Sequence, residues 1–355
     1  MTAVHVIVPD AIHDPERPSG GNSYDRRICR ELAATGWQVR EHLAPGSWPW
    51  PAASAEQALG RALASIPDDG VVLVDGLIAS TVPNVLAPHA DRLRLVVLVH
   101  LPLGYGAPGH HVADARNREC AVLATASAII ATSGWTREWL LTNYALRPEA
   151  IQVVEPGADR ARLASGTTDG GELLCVAAVT PHKGHEVLLA ALSTITEVPW
   201  CCTLVGRLDR DPAFVDRLRT QAQQGGLGDR IRFRGPLPCN DLAQAYGAAD
   251  VLLLPSAFET YGMVVTEALG FGLPVIASAV GGLPDALGST SDGRRPGLLV
   301  PPGDPAALAA AVANWLRDAD LRQQLRQAAG ERRRTLRGWV ATSERIAQIL
   351  SKAAA

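Results

Sequence analysis

Short runs in which almost every position is apolar recur along the chain. Longer stretches lie between them, in which apolar residues return every three or four positions. The early runs are VHVIVP (4–9), GVVLVDG (70–76), LRLVVLVH (93–100) and ASAIIATS (126–133). Unalternating apolar runs of this length predict strands buried on both faces. In NSYDRRICRELAATG (22–36), Tyr24, Ile28 and Leu32 recur at helical spacing and Gly36 supplies a stop. RNRECAVLATA (116–126) reads the same way. Strand alternating with helix requires crossover connections, and therefore a parallel sheet.

The pattern then restarts. ASGTTDGGE (164–172) is polar and glycine-rich and reads as a linker. After it come LLCVAAV (173–179), CCTLVG (201–206), RIRFRG (230–235), DVLLLP (250–255), LPVIAS (273–278) and GLLVPP (297–302), most of them separated by helical segments. The expectation is two α/β sheets in tandem, each of Rossmann type, with domains at 1–160 and 170–337. The last helical stretch, 338–352, has no strand after it and is free to pack back on the first domain. Open parallel sheets bind ligands outside the carboxyl ends of their strands. Two such domains on one linker are expected to face each other across a cleft, with the active site in it.

Composition narrows the partners. A chain of 355 residues, 47% apolar and 19% charged, has enough apolar sequence for two packed cores. A formal net charge of −3 argues against a nucleic-acid binder. The arginine-rich run ERRRTLR (331–337) follows a helical stretch and is expected to be a solvated face, with a phosphate or partner site as the lesser reading. The six cysteines show no C-x-x-C spacing and mostly sit in apolar segments, as reduced core residues of a cytoplasmic protein would. MTAVHVIVPD reads as a first strand, and no segment approaches the roughly 20 apolar residues of a membrane helix. Peripheral membrane contact stays open, as does the choice between monomer and homodimer.

The chemistry is densest in SAFETYGMVVTEALGFGLPV (256–275). It places Glu259 and Glu267 eight positions apart between two buried strands. Gly262 permits a tight turn, after which MVVTEALG can form a short helix. A helix start offers unpaired N–H groups to a phosphate. Flanking carboxylates accept hydrogen bonds from hydroxyls. An anion beside many hydroxyls describes a nucleotide sugar, with Glu259 on the sugar and Glu267 on a ribose diol. Such acids more often serve only the helix dipole and solubility, but this helix is apolar on nearly every side, and a buried acid needs a partner.

These residues resemble family 4 glycosyltransferases of the GT-B fold. The likeness rests on the E-x7-E of Glu259 and Glu267, on GLPV (272–275) and on GGLPD (281–285). It extends to VTPHKGHEVLLAAL (179–192), to VEPGAD (154–159) with Pro156 where the family has asparagine, and to GLLVPPGDPAALAAAV (297–312). The resemblance implies a retaining, metal-independent transfer with no cofactor beyond the nucleotide-sugar cosubstrate. It also implies a donor domain at 170–337 and an acceptor domain at 1–160. UDP and GDP stand ahead of ADP. The acceptor, whether small molecule, glycan or lipid-linked, is not readable. A nucleotide-sugar epimerase and a non-catalytic nucleotide-sugar binder are the rival readings; E-x7-E with GGLPD favours transfer.

The remaining candidates follow the strand ends. The chain has two lysines, Lys183 and Lys352, and Lys183 lies in the loop after the second domain's first strand. A compact ammonium there suits a diphosphate, and the resemblance implies that role. The family's arginine five positions earlier is Ala178 here, and Arg207 in LVGR is the nearest substitute. Thr260, Tyr261, Gly262 and Met263 complete the donor-binding set. His100 ends a strand, and the resemblance implies contact with the donor sugar near the reacting carbon. Gly20 and Gly21 allow close approach of a ligand ahead of a helix starting near Asn22, with Ser19 and Asn22 as ordinary caps in the plainer reading. His110 and His111 could shape an acceptor site, although exposed loop histidines are commoner. GYGAPG (104–109) matches G-x-G-x-x-G, but Pro108 interrupts its N–H run, so it is not read as a dinucleotide site. DRD (209–211) and DAD (318–320) match D-x-D without supporting context, and no metal cluster stands out.

Overall fold

The computed structural model describes residues 3–106 and 109–355; Pro108 and the His110 side chain lie outside the described part. The chain forms two compact units. The first takes the residues up to Gly157 together with Arg337–Ala355, and the second takes Ala158–Leu336.

The first unit is built on β1 (Ala3–Pro9), β2 (Gln38–Ala44), β3 (Val71–Asp75), β4 (Arg94–Val99), β5 (Ala128–Ala131) and β6 (Ile151–Val153). Among the described residues they form one sheet in the order β2-β1-β3-β4-β5-β6, with every neighbouring pair parallel. Every residue of β3 is buried, and all but the first of β1 and of β4, which explains their unbroken apolar runs. β2 and β6 escape that signal. β2 is an edge strand in which only Ala44 is buried, and β6 has three residues.

Helix Gly20–Ala34 follows β1 and buries Tyr24, Asp25, Ile28, Cys29 and Leu32. The closing helix, Trp339–Ala354, buries Trp339, Thr342, Ser343, Ile346, Ile349 and Leu350, one face at helical spacing. It packs on helix Gly20–Ala34, with the Trp339 ring edge-on to Tyr24 at 5.6 Å.

The second unit carries β7 (Glu172–Val176), β8 (Cys201–Val205), β9 (Ile231–Gly235), β10 (Val251–Leu254), β11 (Val275–Ser278) and β12 (Gly297–Val300). Their order is β12-β11-β10-β7-β8-β9, again all parallel. The expected pair of Rossmann-type sheets is therefore present.

The polar segment 164–172 is not a free linker. Buried Asp250 accepts from the Thr167 amide at 2.6 Å, from the Glu172 amide at 2.9 Å and from Arg326 at 2.7 Å, and it also holds the Thr167 hydroxyl. Ala164 donates its amide to the Phe271 carbonyl at 2.9 Å. A buried carboxylate needs such donors, and these pin the segment to the second unit. The arginine run also departs from expectation. Arg333 donates to the carbonyls of Gly270 and Ala161, and Arg332 to that of Leu287. These guanidinium groups cap loop and helix ends instead of facing solvent alone.

Candidate active site

In the second sheet the strand order reverses between β7 and β10. Adjacent parallel strands whose connections run in opposite directions leave a crevice at their carboxyl ends. Lys183 sits in the loop leaving β7, and Glu259 in the loop leaving β10. The two form an ion pair, although 76 residues separate them in sequence. The Lys183 side chain is 21% exposed and that of Glu259 13%, so the pair is largely shielded from water.

Backbone holds these loops together. The Ala257 amide donates to the His182 carbonyl at 2.8 Å, and the His182 ring stacks on Phe258 at 4.7 Å. A Cβ on Gly184 would lie 1.9 Å from the Pro255 carbonyl oxygen, and the residue has φ +73°, so only glycine fits there. The GG pair of GGLPD works the same way. A Cβ on Gly281 would lie 1.6 Å from the Glu259 carbonyl oxygen, and one on Gly282 would lie 2.2 Å from that of Thr260. The glycines expected from the motif thus press the β11 loop directly under the Glu259–Thr260 backbone.

Gly262, at φ +88°, turns the chain into helix Met263–Gly270. Tyr261 is buried in the apolar cluster beneath, while Thr260 and Met263 are half-buried at the helix start. Glu267 is half-buried, and the Tyr246 hydroxyl donates to its Oε2 at 2.8 Å. Burial and the Glu267 charge push the Tyr246 phenol well above its usual range, so it remains a donor. Sequence reasoning missed Tyr246. Its only signal was the need of a buried acid for a partner.

Arg207 follows β8, and its carbonyl accepts the Val179 amide at 2.9 Å, which sets it beside the segment containing Ala178. Its guanidinium grips Asp209 through two bonds of 2.9 and 2.7 Å. The D-x-D segments have other work. Asp209 pairs with Arg207, Asp211 caps helix Pro212–Gln224, and Asp318 caps helix Ala319–Thr335.

In the first unit the order reverses between β1 and β3. Helix Gly20–Ala34 starts two residues earlier than expected, so Gly20 and Gly21 form its first turn instead of a preceding loop, and Ser19 caps it by accepting the Asn22 amide at 3.1 Å. Gly21 lies against His100: a Cβ there would come 3.2 Å from His100 Cδ2. Tyr24 meets the same ring edge-on at 5.1 Å. Two acids missed in the sequence complete the setting. Asp25, one turn into the helix, accepts from His100 Nε2 at 2.8 Å. Asp75, the last residue of β3, accepts the Leu77 amide at 2.7 Å.

Burial opposes the charged form of His100, but the charge and hydrogen bond of Asp25, with the charge of Asp75, outweigh it and raise the imidazole to about 8. Burial, then the Asp25 charge, raise Asp75 to about 7. One ligand atom each from Asp25, Asp75 and His100 lies within 4.8 Å of the others, a spacing that would suit a cation. Asp25 Oδ1 and His100 Nε2 are, however, already committed to each other at 2.8 Å.

A third acid fixes the His100 loop. Glu119 is fully buried and accepts from the amides of Leu103 and Gly104 at 2.8 and 3.0 Å, from Ser80 at 3.0 Å and from Tyr144. It lies within one of the helical segments read from the sequence, where nothing marks it as buried.

Known proteins resemble the chain in its second unit and in its fold. Residues 161–332, nearly all of the second unit, match the family model described as Glycosyl transferases group 1. The D-inositol 3-phosphate glycosyltransferase of Corynebacterium glutamicum is 32% identical over 246 residues, covering 61% of this chain and 55% of that protein. The protein of the same name from Jonesia denitrificans is 34% identical over 233 residues, covering 60% and 53%. The chain thus spans about half the length of the curated relatives it matches. Among solved structures, sucrose-phosphate synthase from Thermosynechococcus elongatus aligns with a TM-score of 0.81 over 99% of both chains at 24% identity. Anabaena HepE, solved with UDP and glucose, aligns at 0.78 over 99% of this chain and 100% of that one, at 18% identity. At these identities the solved structures establish a shared fold.

Proposed function

We propose that this chain, whose second unit matches the model of Glycosyl transferases group 1 and which has the GT-B fold, is a retaining glycosyltransferase of family 4 type, moving a hexose-type sugar from a nucleotide donor to a hydroxyl acceptor. The observation that carries the proposal is the meeting of Lys183 and Glu259 at the reversal of the second sheet, with Glu267 held by Tyr246 in the helix that follows.

Lys183 binds the donor diphosphate and meets the charge that grows as it departs. Taking up a diphosphate draws the ammonium away from Glu259, whose carboxylate then accepts sugar hydroxyls. Glu267 accepts the ribose diol. Thr260, Tyr261, Gly262 and Met263 present the start of the helix to the donor. Arg207 substitutes for the cation absent at Ala178. His100 contacts the transferred sugar, with Gly20 and Gly21 at the helix start beside it. The acceptor oxygen bonds to the anomeric carbon on the face from which the nucleotide leaves. The carbon–phosphate oxygen bond breaks, and the acceptor proton passes to the departing phosphate. Positioning and charge stabilisation supply the acceleration.

A UDP-sugar is the first donor to try, since HepE was solved with UDP and glucose. The relatives' names put an inositol phosphate at the head of the acceptor panel. Metal independence is supported by the capping and pairing roles of Asp209, Asp211 and Asp318, and a cytoplasmic setting by cysteines that are all free.

The test has two steps. Melting temperature is recorded with UDP, GDP and ADP and with their sugars, because specific binding stabilises the fold. The stabilising donor is then incubated with and without acceptors, with and without EDTA. Transfer with retained anomeric configuration, unaffected by EDTA, is the expected result. An epimer formed without acceptor, or binding with neither hydrolysis nor transfer, would replace the proposal with one of its rivals.

A further inference from the structure

Asp25 and Asp75 are 3% and 5% exposed, beside one imidazole. Two ionised carboxylates this close and this buried repel each other, and a single imidazolium offsets only one of them. Asp25 Oδ1 is taken by His100 Nε2, and Asp75 Oδ1 by the Leu77 amide. Asp25 Oδ2 is sealed from solvent and, among the described residues, accepts no hydrogen bond. On its apolar side the pair faces a space walled by Val6, Val8, Ile28, Cys29, Leu73 and Leu98 that has no volume for a water molecule. A buried acceptor left this way costs about 1–3 kcal/mol. A proton on Asp75, donated to Asp25, removes both the repulsion and the unmet acceptor.

We propose that Asp25 and Asp75 share one proton at neutral pH, and that this pair is a positioning device holding His100 as an imidazolium with Nε2 committed to Asp25. The surrounding groups permit it. On helix Gly20–Ala34 the next ionisable group inward is the Cys29 thiol, which burial and the charges of Glu41 and Asp25 keep protonated. The facing strands β1 and β4 contribute Val6, Val8 and Leu98. The helix Trp339–Ala354, packed on β3, β4 and helix Gly20–Ala34, buries Trp339, Thr342, Ser343, Ile346, Ile349 and Leu350, none of them charged, and the Arg27 guanidinium lies over the Trp339 ring at 5.7 Å. The consequence for turnover rests on the role proposed for His100; the arrangement of protons does not.

Two variants separate this from two independent carboxylates. Asp75→Asn places an amide donor where the acid O–H would be, so it reproduces the shared-proton state. Asp25→Asn removes the charge that holds the imidazolium. Proton–nitrogen NMR of histidine-labelled protein, with His100→Gln as the assignment control, is expected to show His100 titrating near 8 in the native chain. It should titrate nearly as high in Asp75→Asn, and lower by about one pH unit or more in Asp25→Asn, where burial is no longer opposed. Infrared difference spectra at pH 6 should show the carbonyl band of a protonated acid in the native chain that Asp75→Asn lacks. If Asp25→Asn does not fold, that band and its loss decide the matter. Equal falls in the His100 midpoint in both variants, or no acid band, would overturn the proposal. If glycosyl transfer is measured, Asp25→Asn should lower kcat more than it raises donor KM and should shift the pH profile. If no transfer exists, the NMR and infrared results still stand on their own.

Discussion

The Tyr246 hydroxyl lies 2.8 Å from Glu267 Oε2, linking a helix ahead of β10 to the helix after it. The phenol is buried and stacked on Phe271 at 5.2 Å, so its hydroxyl has little freedom to look elsewhere. Tyr246→Phe keeps the packing and removes the donor. Loss of one hydrogen bond to a charged group should cost about 1.5–3 kcal/mol, read by urea denaturation. Calorimetry with the nucleoside diphosphate should show weaker binding, because Glu267 is no longer aimed. Unchanged affinity in Tyr246→Phe, together with unchanged affinity in Glu267→Gln, would remove this carboxylate from the nucleotide site.

Lys183→Ala should separate chemistry from folding. The pair with Glu259 is largely but not fully shielded, so its loss should cost about 1–2 kcal/mol of stability. If the ammonium meets charge that develops on the leaving diphosphate, kcat should fall on the order of a hundredfold. Glu259→Gln should lose sugar-dependent binding while keeping affinity for free nucleoside diphosphate. Equal weakening of both ligands in Glu259→Gln would show that the carboxylate does not read the sugar.

Glu119→Ala should be among the most damaging single changes in the first unit. It strands two amides and the hydroxyls of Ser80 and Tyr144 in a closed space. A loss of at least about 4 kcal/mol is expected. Glu119→Gln, which keeps one acceptor oxygen, should lose roughly half as much. Because the amides of Leu103 and Gly104 hold the loop after His100, the Gln variant should also broaden or shift the His100 resonance.

Stability should depend on pH through the Asp75 and His100 pair. The Asp75 carboxyl is raised from 3.8 to about 7, so its stabilising contribution is full below about 4 and is lost as pH rises through 7. His100 is raised from 6.5 to about 8, so its contribution is full below 6.5 and is lost as pH rises through 8. Both therefore favour the folded chain on the acid side. Buried His185 works in the other direction: burial lowers it to about 4, and its contribution is lost as pH falls from 6.5 toward 4. Comparing Asp75→Asn with the native chain isolates one group. The two should melt alike near pH 4, and the variant should become the more stable by pH 8, by on the order of a few kcal/mol. A constant difference across that range would place Asp75 among ordinary ionised carboxylates.

The sequence alone determined the two parallel sheets, because strands buried on both faces must be apolar at every position and the helices between them must carry a stripe. It missed β2 and β6, since an exposed edge strand and a three-residue strand carry no such signature. It also made Lys183, Glu259 and Glu267 candidates, because loops at strand ends and an acid within an apolar helix stand out locally. Which side chains meet was decided only by the folded chain. Lys183 reaches Glu259 because β7 and β10 are neighbours despite the residues between them. Glu267 finds its donor in Tyr246, and the amides of 164–172 find theirs in Asp250. Asp25, Asp75 and Glu119 look like ordinary surface acids in sequence. They become buried groups tied to specific partners through long-range packing, which removes the water that would otherwise solvate each carboxylate on its own.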